Sequence, residues 1–396
     1  MTRRPRRSVP YYRSVGEVPP KRHTQFRQPD GSLYAEELMG EEGFSFDSAL
    51  LYHAHLPTAL TRIEAVEVED QETNPNHPLK PRHFKTHQLK AGGDAVRARA
   101  LLLANEDCAV SYYVGSESSG LYKNATGDEM VFIEQGTGTL ETVFGSIRFG
   151  PGDYLVIPAS VIHRYELDES SDPVRALILE TRGHIGPPKR YLSRNGQLLE
   201  HAPYCERDLH GPTAPLMREE TDVDVLVKHR GGMTKFVYEN HPFDVVGWDG
   251  CLYPYRFSIR DFEPITGRIH QPPPVHQTFE APGVVVCSFV PRLFDYHPDA
   301  IPAPYNHANV DSDEVLFYVE GNFMSRKGAG IEQGSVSLHP GGHTHGPQPG
   351  SVEASIGKEG TEELAVMIDT FRPLDLGPGA IDSEDDAYAW TWLEGR

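Results

Sequence analysis

Short apolar runs separated by glycine and proline dominate the sequence and restrict its fold more than any other feature. The 396 residues include 37 glycines and 33 prolines, and few long stretches show a helical period. The four clearest runs are MVFIEQG at 130–136, DYLVIPA at 153–159, GVVVCSFV at 283–290 and EVLFYVEG at 314–321. Each has the length of a strand and is bounded by turn residues. This punctuation predicts an all-β protein, built as a sandwich or barrel.

The length of the chain favours two packed domains or one double-sized all-β unit. The segment from Glu180 to Tyr204 has the composition of a connecting loop, which places a domain boundary nearby. An acidic run with Trp390 and Trp392 follows at the end and predicts a tail docked by its aromatic side chains. The expected organisation is a tail over 1–30, β domains over 31–200 and 201–375, and an acidic and aromatic tail over 376–396.

Charge and cysteine content narrow the class of partner and the compartment. The formal net charge of −20 argues against nucleic acid or an anionic membrane as the main partner, because phosphate recognition needs clustered Lys and Arg. No apolar run approaches membrane-spanning length. The four cysteines are far apart and form no CxxC pair, which favours a reducing compartment. We therefore expect a cytoplasmic protein that handles a small molecule.

Two segments of the second half carry a spacing typical of a metal site. In APYNHANVDSDEVLFYVEG, Glu314 follows His307 by seven positions and precedes Gly321. In GSVSLHPGGHTHGPQPG, a strand-like run begins at Gly334, a turn follows at Pro340, and His345 comes five residues later. These spacings resemble the two sequence motifs of the cupin superfamily of antiparallel β-barrels, with Asn309 in place of the usual second histidine. His307, Glu314 and His345 are the predicted metal ligands.

Two imidazoles and one carboxylate on one face of an ion match the facial triad of non-haem Fe(II) oxygenases, which leaves positions open for substrate and O₂. His343 is two residues short of the motif spacing, so we expect it to be an outer or solvent residue. His339 precedes Pro340 at the predicted barrel mouth, where a hydrogen bond to substrate and a packing role are both open. Asn309 or Asp311 could orient the ligand imidazoles.

The first half repeats both spacings but not the ligands. Glu129 precedes Gly136 as Glu314 precedes Gly321, and Gly152 leads to His163 as Gly334 leads to His345. Asn124 and Asp128 stand where further ligands would be needed. We therefore predict two cupin barrels (double-stranded β-helices) in tandem, with only the C-terminal barrel competent to bind metal and with a structural role for His163.

Longer stretches resemble one family, the homogentisate 1,2-dioxygenases. The resemblance includes LYAEELMG at 33–40, SALLYHAHLPTAL at 48–60, HPFDVVGWDGCLYPYRFSIRDF at 241–262, and the two metal segments. It implies Fe(II)-dependent cleavage of homogentisate by O₂ to maleylacetoacetate, a step of tyrosine and phenylalanine catabolism. It also implies a homo-oligomer, either a trimer or a hexamer.

The resemblance further implies roles for individual residues. His307, Glu314 and His345 match the iron ligands. His270, in GRIHQPPPVHQTF, matches an active-site histidine that takes the phenolic proton, and His276 competes for this role. His339 matches a catalytic histidine near the substrate. Phe323, His339 and His345 are the predicted substrate-binding residues.

Two positions depart from the family pattern. Phe323 stands where the family has a tyrosine that helps to hold the substrate carboxylate, and Glu320 stands near the expected place of a basic residue. Arg326, Lys327 or Arg292 could hold that carboxylate instead, or the substrate could be a different hydroquinone or phenol. A cupin enzyme using Mn or Zn and a bicupin binding protein without turnover are open at this point as well.

Overall fold

The computed structural model describes residues 10–68, 71–169, 172–326 and 328–393. Strands dominate it, so the prediction of an all-β protein is confirmed, and each of the four quoted runs overlaps a strand. In chain order the strands are β1 Arg13–Gly16, β2 Ala35–Gly40, β3 Ser48–His53, β4 Leu60–Val66, β5 Arg82–Phe84, β6 Ala100–Ala104, β7 Cys108–Gly115, β8 Leu121–Asn124, β9 Glu129–Gln135, β10 Gly138–Thr142, β11 Gly145–Phe149, β12 Asp153–Ile157, β13 His163–Leu167, β14 Val174–Thr181, β15 Thr221–His229, β16 Gly232–Asn240, β17 Val245–Gly250, β18 Tyr255–Ser258, β19 Gln277–Ala281, β20 Val284–Phe289, β21 Arg292–Leu293, β22 His307–Ala308, β23 Asp313–Glu320, β24 Ser335–His339, β25 Thr344–His345, β26 Gly360–Thr361, β27 Leu364–Thr370 and β28 Asp375–Leu376.

Helices are short. The α-helices are α1 Ser351–Ser355 and α2 Pro378–Ser383. Single 3₁₀ turns lie at Glu42–Phe44, Thr86–Gln88, Lys189–Tyr191, Glu206–Asp208, Ile259–Asp261, Pro273–His276, Met324–Arg326 and Tyr388–Trp390. Among the residues that the structure describes, no helix has the length and apolar character needed to cross a bilayer.

The chain forms two compact units. Unit 1 consists of Met1–Asp70, Gly92–Ala98 and Tyr113–Ser258, and unit 2 of Gln71–Ala91, Arg99–Tyr112 and Ile259–Arg396. The predicted boundary after residue 200 lies inside unit 1, because β15 to β18 hydrogen-bond to its sheets. Strand β1 falls within the predicted N-terminal tail and pairs with β17.

Unit 1 is built from three groups of antiparallel strands around one core. A seven-stranded sheet has the order β11-β10-β13-β8-β15-β16-β4, in which only the β15–β8 contact is parallel. A second sheet contains β18-β12-β9-β14, and a third has the order β1-β17-β3-β2. Their inward side chains share a single apolar cluster that includes Val131, Leu140, Leu155, Ile178 and Trp248. Removing this apolar surface from water is the main stabilising term of such a unit.

Unit 2 is organised by a six-stranded sheet of order β19-β20-β27-β23-β24-β5. Two short strand pairs, β21 with β26 and β22 with β25, extend beside it. One face of the sheet buries a cluster of Cys287, Leu316, Tyr318, Phe323, Ala365 and Met367. The motif glycine Gly321 directly follows β23 and has a φ of +96°, and a Cβ there would lie 2.2 Å from the Glu362 carbonyl oxygen. Glycine is therefore required where the chain leaves this strand.

Candidate active site

The two predicted histidine ligands face each other across a short antiparallel strand pair. Strand β22 pairs with β25 in a register that places His307 directly opposite His345. Their ring centroids lie 4.3 Å apart. The pairing of β22 with β25 thus brings together two imidazoles from separate segments of the chain.

Glu314 completes the cluster from the start of β23. One of its oxygens, Oε1, lies 3.2 Å from His345 Nε2, and the other, Oε2, lies 3.6 Å from His307 Nε2. One ligand atom from each of the three residues can be chosen so that all lie within 4.8 Å of one another. The structure therefore brings the three predicted metal ligands together.

Backbone carbonyls fix which nitrogen of each ligand imidazole points into the cluster. His307 Nδ1 lies 3.2 Å from the Tyr305 carbonyl oxygen, and His345 Nδ1 lies 3.3 Å from that of His343. An Nδ1–H donated to a carbonyl leaves Nε2 as the coordinating atom. His345 Nε2 is buried and makes no hydrogen bond in the described structure. A divalent metal would satisfy this atom, so the donor set fits such an ion.

Neither Asn309 nor Asp311 orients these imidazoles. The Asn309 amide donates to Asp369 Oδ1 at 3.4 Å, and Asp311 is exposed. The orienting role that the sequence assigned to one of these side chains is filled by main-chain carbonyl groups instead. His343 contributes through its carbonyl oxygen rather than its ring.

The charge of Glu314 is held in place by its histidine neighbours. Burial raises the pKa of the carboxyl, but the adjacent imidazoles of His307, His339 and His345 outweigh it and keep the pKa well below the usual range. The same interaction with Glu314 raises the pKa of His307. The carboxylate is thus ionised at neutral pH, and a metal would replace the proton that His307 otherwise gains.

His339 lies behind Glu314 rather than beside a substrate. It stands opposite Glu314 in the β23–β24 register and is fully buried. Its Nδ1 is 2.9 Å from Glu314 Oε1, and its Nε2 is 2.9 Å from the Tyr388 hydroxyl. Burial lowers its pKa to about 3. With both nitrogens engaged, His339 is placed to support a ligand, which differs from the catalytic and substrate-binding role predicted from the sequence.

A cavity of about 300 Å³ opens onto the cluster. His307 and Glu314 contribute to its wall, whereas His345, His339 and Phe323 are not among its lining residues. The wall is mostly apolar, with a few charged groups. Its other lining residues are Ile265, Thr266, His270, Gln271, Pro273, Val275, His276, Phe289, Arg292, Leu293, Phe294, Asp295, Pro302, Pro304, Tyr305, Leu316, Ser325, Arg326, Thr361, Glu363 and Met367.

Both candidate proton acceptors line this cavity. His270 has a half-exposed side chain, and its Nδ1 lies 3.6 Å from Asp295 Oδ2. His276 is buried against Phe289, and burial lowers its pKa to about 3. A histidine with so low a pKa is a weak proton acceptor at neutral pH. The half-exposed His270 is therefore a better candidate for the proton acceptor than the buried His276.

The two departures from the family pattern lie away from the cavity. Phe323 is buried in the core of unit 2, with its ring centroid 4.9 Å from that of Tyr318. Its ring packs in this core and is not among the lining residues of the cavity, and its role in substrate binding stays a prediction. Glu320 is exposed and pairs with Arg260 at 2.8 Å, so it does not repel an anionic ligand inside the cavity.

The candidate anchors for a substrate carboxylate differ in the contacts that they already make within the protein. Arg326 is buried and donates to the Tyr318 hydroxyl at 3.2 Å and to the Gly346 carbonyl oxygen. Arg292 lies over the Phe294 ring, 5.8 Å from its centroid, and forms no ion pair among the described residues. Lys327 lies outside the described residues. Arg292 is thus the cavity cation that is available to a ligand.

The C-terminal segment contributes a residue that the sequence did not reveal. Tyr388, in the 3₁₀ turn Tyr388–Trp390, is fully buried and contacts His339. Trp392 donates its indole N–H to the Gly346 carbonyl oxygen at 3.1 Å, whereas Trp390 is 59% exposed. The tail is docked by aromatic side chains, as expected, but Tyr388 rather than Trp390 makes the deepest contact.

A second group of possible ligand residues lies in unit 1. Glu41, Asp128 and His184 have ligand atoms within 4.8 Å of one another. Both Asp128 oxygens already accept backbone hydrogen bonds, from Ala159 N and Ile185 N at 2.9 Å each. This arrangement fixes two loops, and its carboxylate is occupied by the main chain.

The chain is similar in sequence to one family model and to curated proteins. The family model for the homogentisate 1,2-dioxygenase N-terminal region matches residues 59–259. A Saccharolobus solfataricus protein named "Putative dioxygenase" is 39% identical over 388 residues, which cover 96% of this chain and 99% of that protein. The homogentisate 1,2-dioxygenase of Bradyrhizobium diazoefficiens is 29% identical over 292 residues, covering 69% of this chain and 63% of that enzyme.

Among solved structures, a cupin 2 conserved barrel domain protein from Leptotrichia buccalis matches with a TM-score of 0.33 and 10% identity, over 78% of this chain and 100% of that one. The family match covers half of the chain, and the 39% identity extends over nearly all of it. The chain therefore belongs to the homogentisate 1,2-dioxygenase family.

Proposed function

We propose that this protein is an Fe(II)-dependent dioxygenase that cleaves the ring of homogentisate with O₂ to give maleylacetoacetate. Both atoms of O₂ enter the product, so no other reductant is needed. The observation that carries the proposal is the cluster of His307, Glu314 and His345 at a cavity of about 300 Å³. Membership of the family supports the same reaction class.

Two imidazoles and one carboxylate would hold the metal through His307 Nε2, His345 Nε2 and a Glu314 oxygen. This donor set suits ferrous iron and leaves part of the coordination sphere for other ligands. Ferrous iron bound there would supply the redox chemistry that allows O₂ to react with an aromatic ring. The protein supplies the position, the electrostatics and the exclusion of water.

His270 is the proposed acceptor of the phenolic proton. Its Nδ1 faces Asp295 at 3.6 Å, so Nε2 is the nitrogen that can accept a proton from a hydroxyl in the cavity. Removing this proton raises the electron density of the ring, which favours its oxidation.

Arg292 is the proposed anchor of the substrate carboxylate. Its guanidinium lines the cavity without an ion pair among the described residues, and Arg groups recognise carboxylates with two parallel N–H donors. Phe289, Leu316 and Met367 provide apolar surface for the aromatic ring. An aromatic ring with a carboxylate side chain thus matches the Arg292 guanidinium and the apolar part of the cavity wall.

Assembly and compartment are proposals of the same kind. The family resemblance supports a homo-oligomer, a trimer or a hexamer. The four cysteines are free in the structure, which supports a reducing compartment such as the cytoplasm. The proposed place in metabolism is the catabolism of tyrosine and phenylalanine.

The test is an anaerobic reconstitution of the full chain with Fe(II), followed by homogentisate and then air. Oxygen uptake and the ultraviolet band of the ring-opened product should appear in equal amounts. Glu314→Ala should abolish both signals, whereas Glu320→Ala, which changes an exposed glutamate at the other end of β23, should leave both intact.

Different results would point to a different function. Consumption of another hydroquinone, such as gentisate, with none of homogentisate would retain the iron chemistry and replace the substrate. Turnover with Mn(II) or Zn(II) but not with Fe(II) would indicate a different cupin metalloenzyme. Metal binding without any turnover would favour a binding protein.

A further inference from the structure

The C-terminal segment provides the first member of a series of hydrogen-bonded side chains that ends on a predicted metal ligand. The Tyr388 hydroxyl lies 2.9 Å from His339 Nε2, and His339 Nδ1 lies 2.9 Å from Glu314 Oε1. Tyr388 and His339 are both fully buried. The three side chains therefore form one continuous path from the tail to the candidate metal.

The protons along this path can be assigned. A carboxylate has no proton to donate, so the Glu314 oxygen accepts the hydrogen bond and His339 carries its proton on Nδ1. In a neutral imidazole the other nitrogen is then an acceptor, which makes His339 Nε2 the acceptor facing the tail. The Tyr388 hydroxyl can donate, and it supplies the hydrogen bond to this nitrogen. Each donor along the path thus faces an acceptor.

The tail is held in this position by contacts on both sides of the site. Asp385 accepts an ion pair from Lys85 at 3.0 Å, and its backbone N–H donates to the His83 carbonyl oxygen at 2.7 Å. Gln348, in the loop after the ligand His345, donates to the Thr391 hydroxyl at 2.9 Å. The segment over 385–392 is thus fixed to the strand β5 and to the loop that carries a ligand.

We propose that Tyr388 is a positioning residue of the metal site, which fixes the tautomer and orientation of His339 and thereby holds Glu314 ready to coordinate. Partners in this outer position orient the ligands of metal sites and raise their basicity. The inference rests on the metal site of the proposed function and is independent of the substrate.

The test measures metal affinity rather than turnover. The metal-free full chain is titrated anaerobically with Fe(II), and separately with Co(II), whose visible absorption reports the ligand geometry. Tyr388→Phe removes only the hydroxyl and should weaken binding about 10- to 100-fold. Tyr296→Phe, the same change at an exposed tyrosine outside the cavity lining, should bind as the wild type does.

A double-mutant cycle decides whether Tyr388 acts through His339. If it does, Tyr388→Phe should cost metal affinity in the wild-type background and nothing further in a His339→Leu background, because leucine offers no acceptor for the hydroxyl. Equal losses in both backgrounds would assign Tyr388 a packing role and overturn the inference. Circular dichroism and thermal unfolding of each variant establish that it is folded.

The remaining outcomes separate this inference from the proposed function. Wild-type affinity in Tyr388→Phe would overturn the inference alone. A wild-type chain that binds neither ion would overturn the metal site and the inference together. If the wild type binds metal and the double-mutant cycle gives the expected result, but homogentisate does not react, the inference stands and the proposed substrate is rejected.

Discussion

Units 1 and 2 share a scaffold around corresponding carboxylates but use it differently. Asp313 accepts backbone hydrogen bonds from Gly341 and Leu374 at 2.8 Å each, as Asp128 accepts them from Ala159 and Ile185. Asp128 is therefore a scaffold residue, not a replacement for a metal ligand. The two units thus share this arrangement of a carboxylate that holds two backbone N–H groups.

The register of the ligand strands is also the same. His163 stands opposite Tyr122 in the β8–β13 pair, as His345 stands opposite His307 in β22–β25. Each histidine also directs Nδ1 to the carbonyl oxygen two residues earlier, with His163 Nδ1 2.9 Å from that of Val161. Tyr122 thus occupies in unit 1 the place that His307 has in unit 2.

Side chains make the difference between the two sites. Glu129 accepts hydrogen bonds from the Tyr122 hydroxyl at 2.8 Å and from the Asn124 amide at 3.0 Å, both neutral donors. Ile157 stands opposite Glu129 where His339 stands opposite Glu314. Protein donors therefore satisfy the carboxylate in unit 1, while in unit 2 imidazole nitrogens surround it. The two units thus differ at this place in a few side chains, while the strand register around them is the same.

Removing the carboxylate should have the largest effect on metal binding in unit 2 and no effect on it in unit 1. Glu314→Ala deletes a ligand, and we expect a loss of Fe(II) affinity larger than the about 10- to 100-fold effect of losing an outer partner. Glu129→Ala should leave metal affinity unchanged, although it removes a hydrogen-bonded buried carboxylate and should lower stability. Metal content after dialysis and thermal unfolding measure the two effects. Loss of metal in Glu129→Ala would show that unit 1 also binds an ion.

Restoring an imidazole in unit 1 should give it a weak site. Tyr122→His places a possible ligand opposite His163 and beside Glu129. We expect about one additional equivalent of Co(II) per chain, bound about 10- to 100-fold more weakly than in unit 2, because Ile157 cannot support Glu129 as His339 supports Glu314. Titration followed by visible absorption counts the equivalents. Adding Ile157→His should strengthen the new site, and an unchanged stoichiometry would indicate that the scaffolds differ more than their hydrogen bonds suggest.

Arg292 should show that the cavity of unit 2 selects anions. Arg292→Gln removes the charge, and a charge-assisted hydrogen bond of about 1.5–3 kcal/mol corresponds to a rise of about 10- to 100-fold in KM for homogentisate. The KM for its uncharged methyl ester should change little, and kcat should be less affected than KM. Steady-state oxygen uptake with both compounds measures this. Equal rises for acid and ester would contradict a role in carboxylate recognition.

Local spacing predicted much of this architecture. The strands around residues 130, 153, 283 and 314 and the meeting of His307, Glu314 and His345 follow from alternation, turn residues and motif spacing, all readable over a short range. Tyr122 was also readable, since it precedes Glu129 by seven residues as His307 precedes Glu314. The sequence nevertheless favours Asn124 and Asp128 over Tyr122 at the ligand positions, because their side chains are commoner metal ligands than a tyrosine.

Contacts between distant segments were not readable in this way. Tyr388 meets His339 across 49 positions of sequence, and no local pattern distinguishes it from the neighbouring Trp390. Phe323 was assigned to the substrate because it occupies a motif position, but its direction depends on how the chain packs after Gly321. Such contacts are set by tertiary packing, which one sequence does not display.

The smallest expected effect concerns the pH dependence of stability and a buried histidine, His53, outside the two corresponding sites. In unit 1, burial lowers the pKa of His53, but hydrogen bonds to Asp244 at 2.6 Å and Glu37 at 3.0 Å outweigh it and raise the pKa to about 9. A raised pKa contributes stability that is fully present below about pH 6.5 and is lost as pH rises through about 9. His339 in unit 2 has the opposite shift, which shows that carboxylate partners and burial compete in each case.

The expected change is a steeper fall in the apparent Tm of wild type than of His53→Gln between pH 6.5 and 9.5. The difference should be a few degrees, since about 1 kcal/mol corresponds to about 2–4 °C in a domain of this size. Differential scanning calorimetry across this range measures it, with the exposed His23→Gln as a matched control. Parallel curves for wild type and His53→Gln would mean that the Asp244 and Glu37 carboxylates do not hold His53 in its charged form.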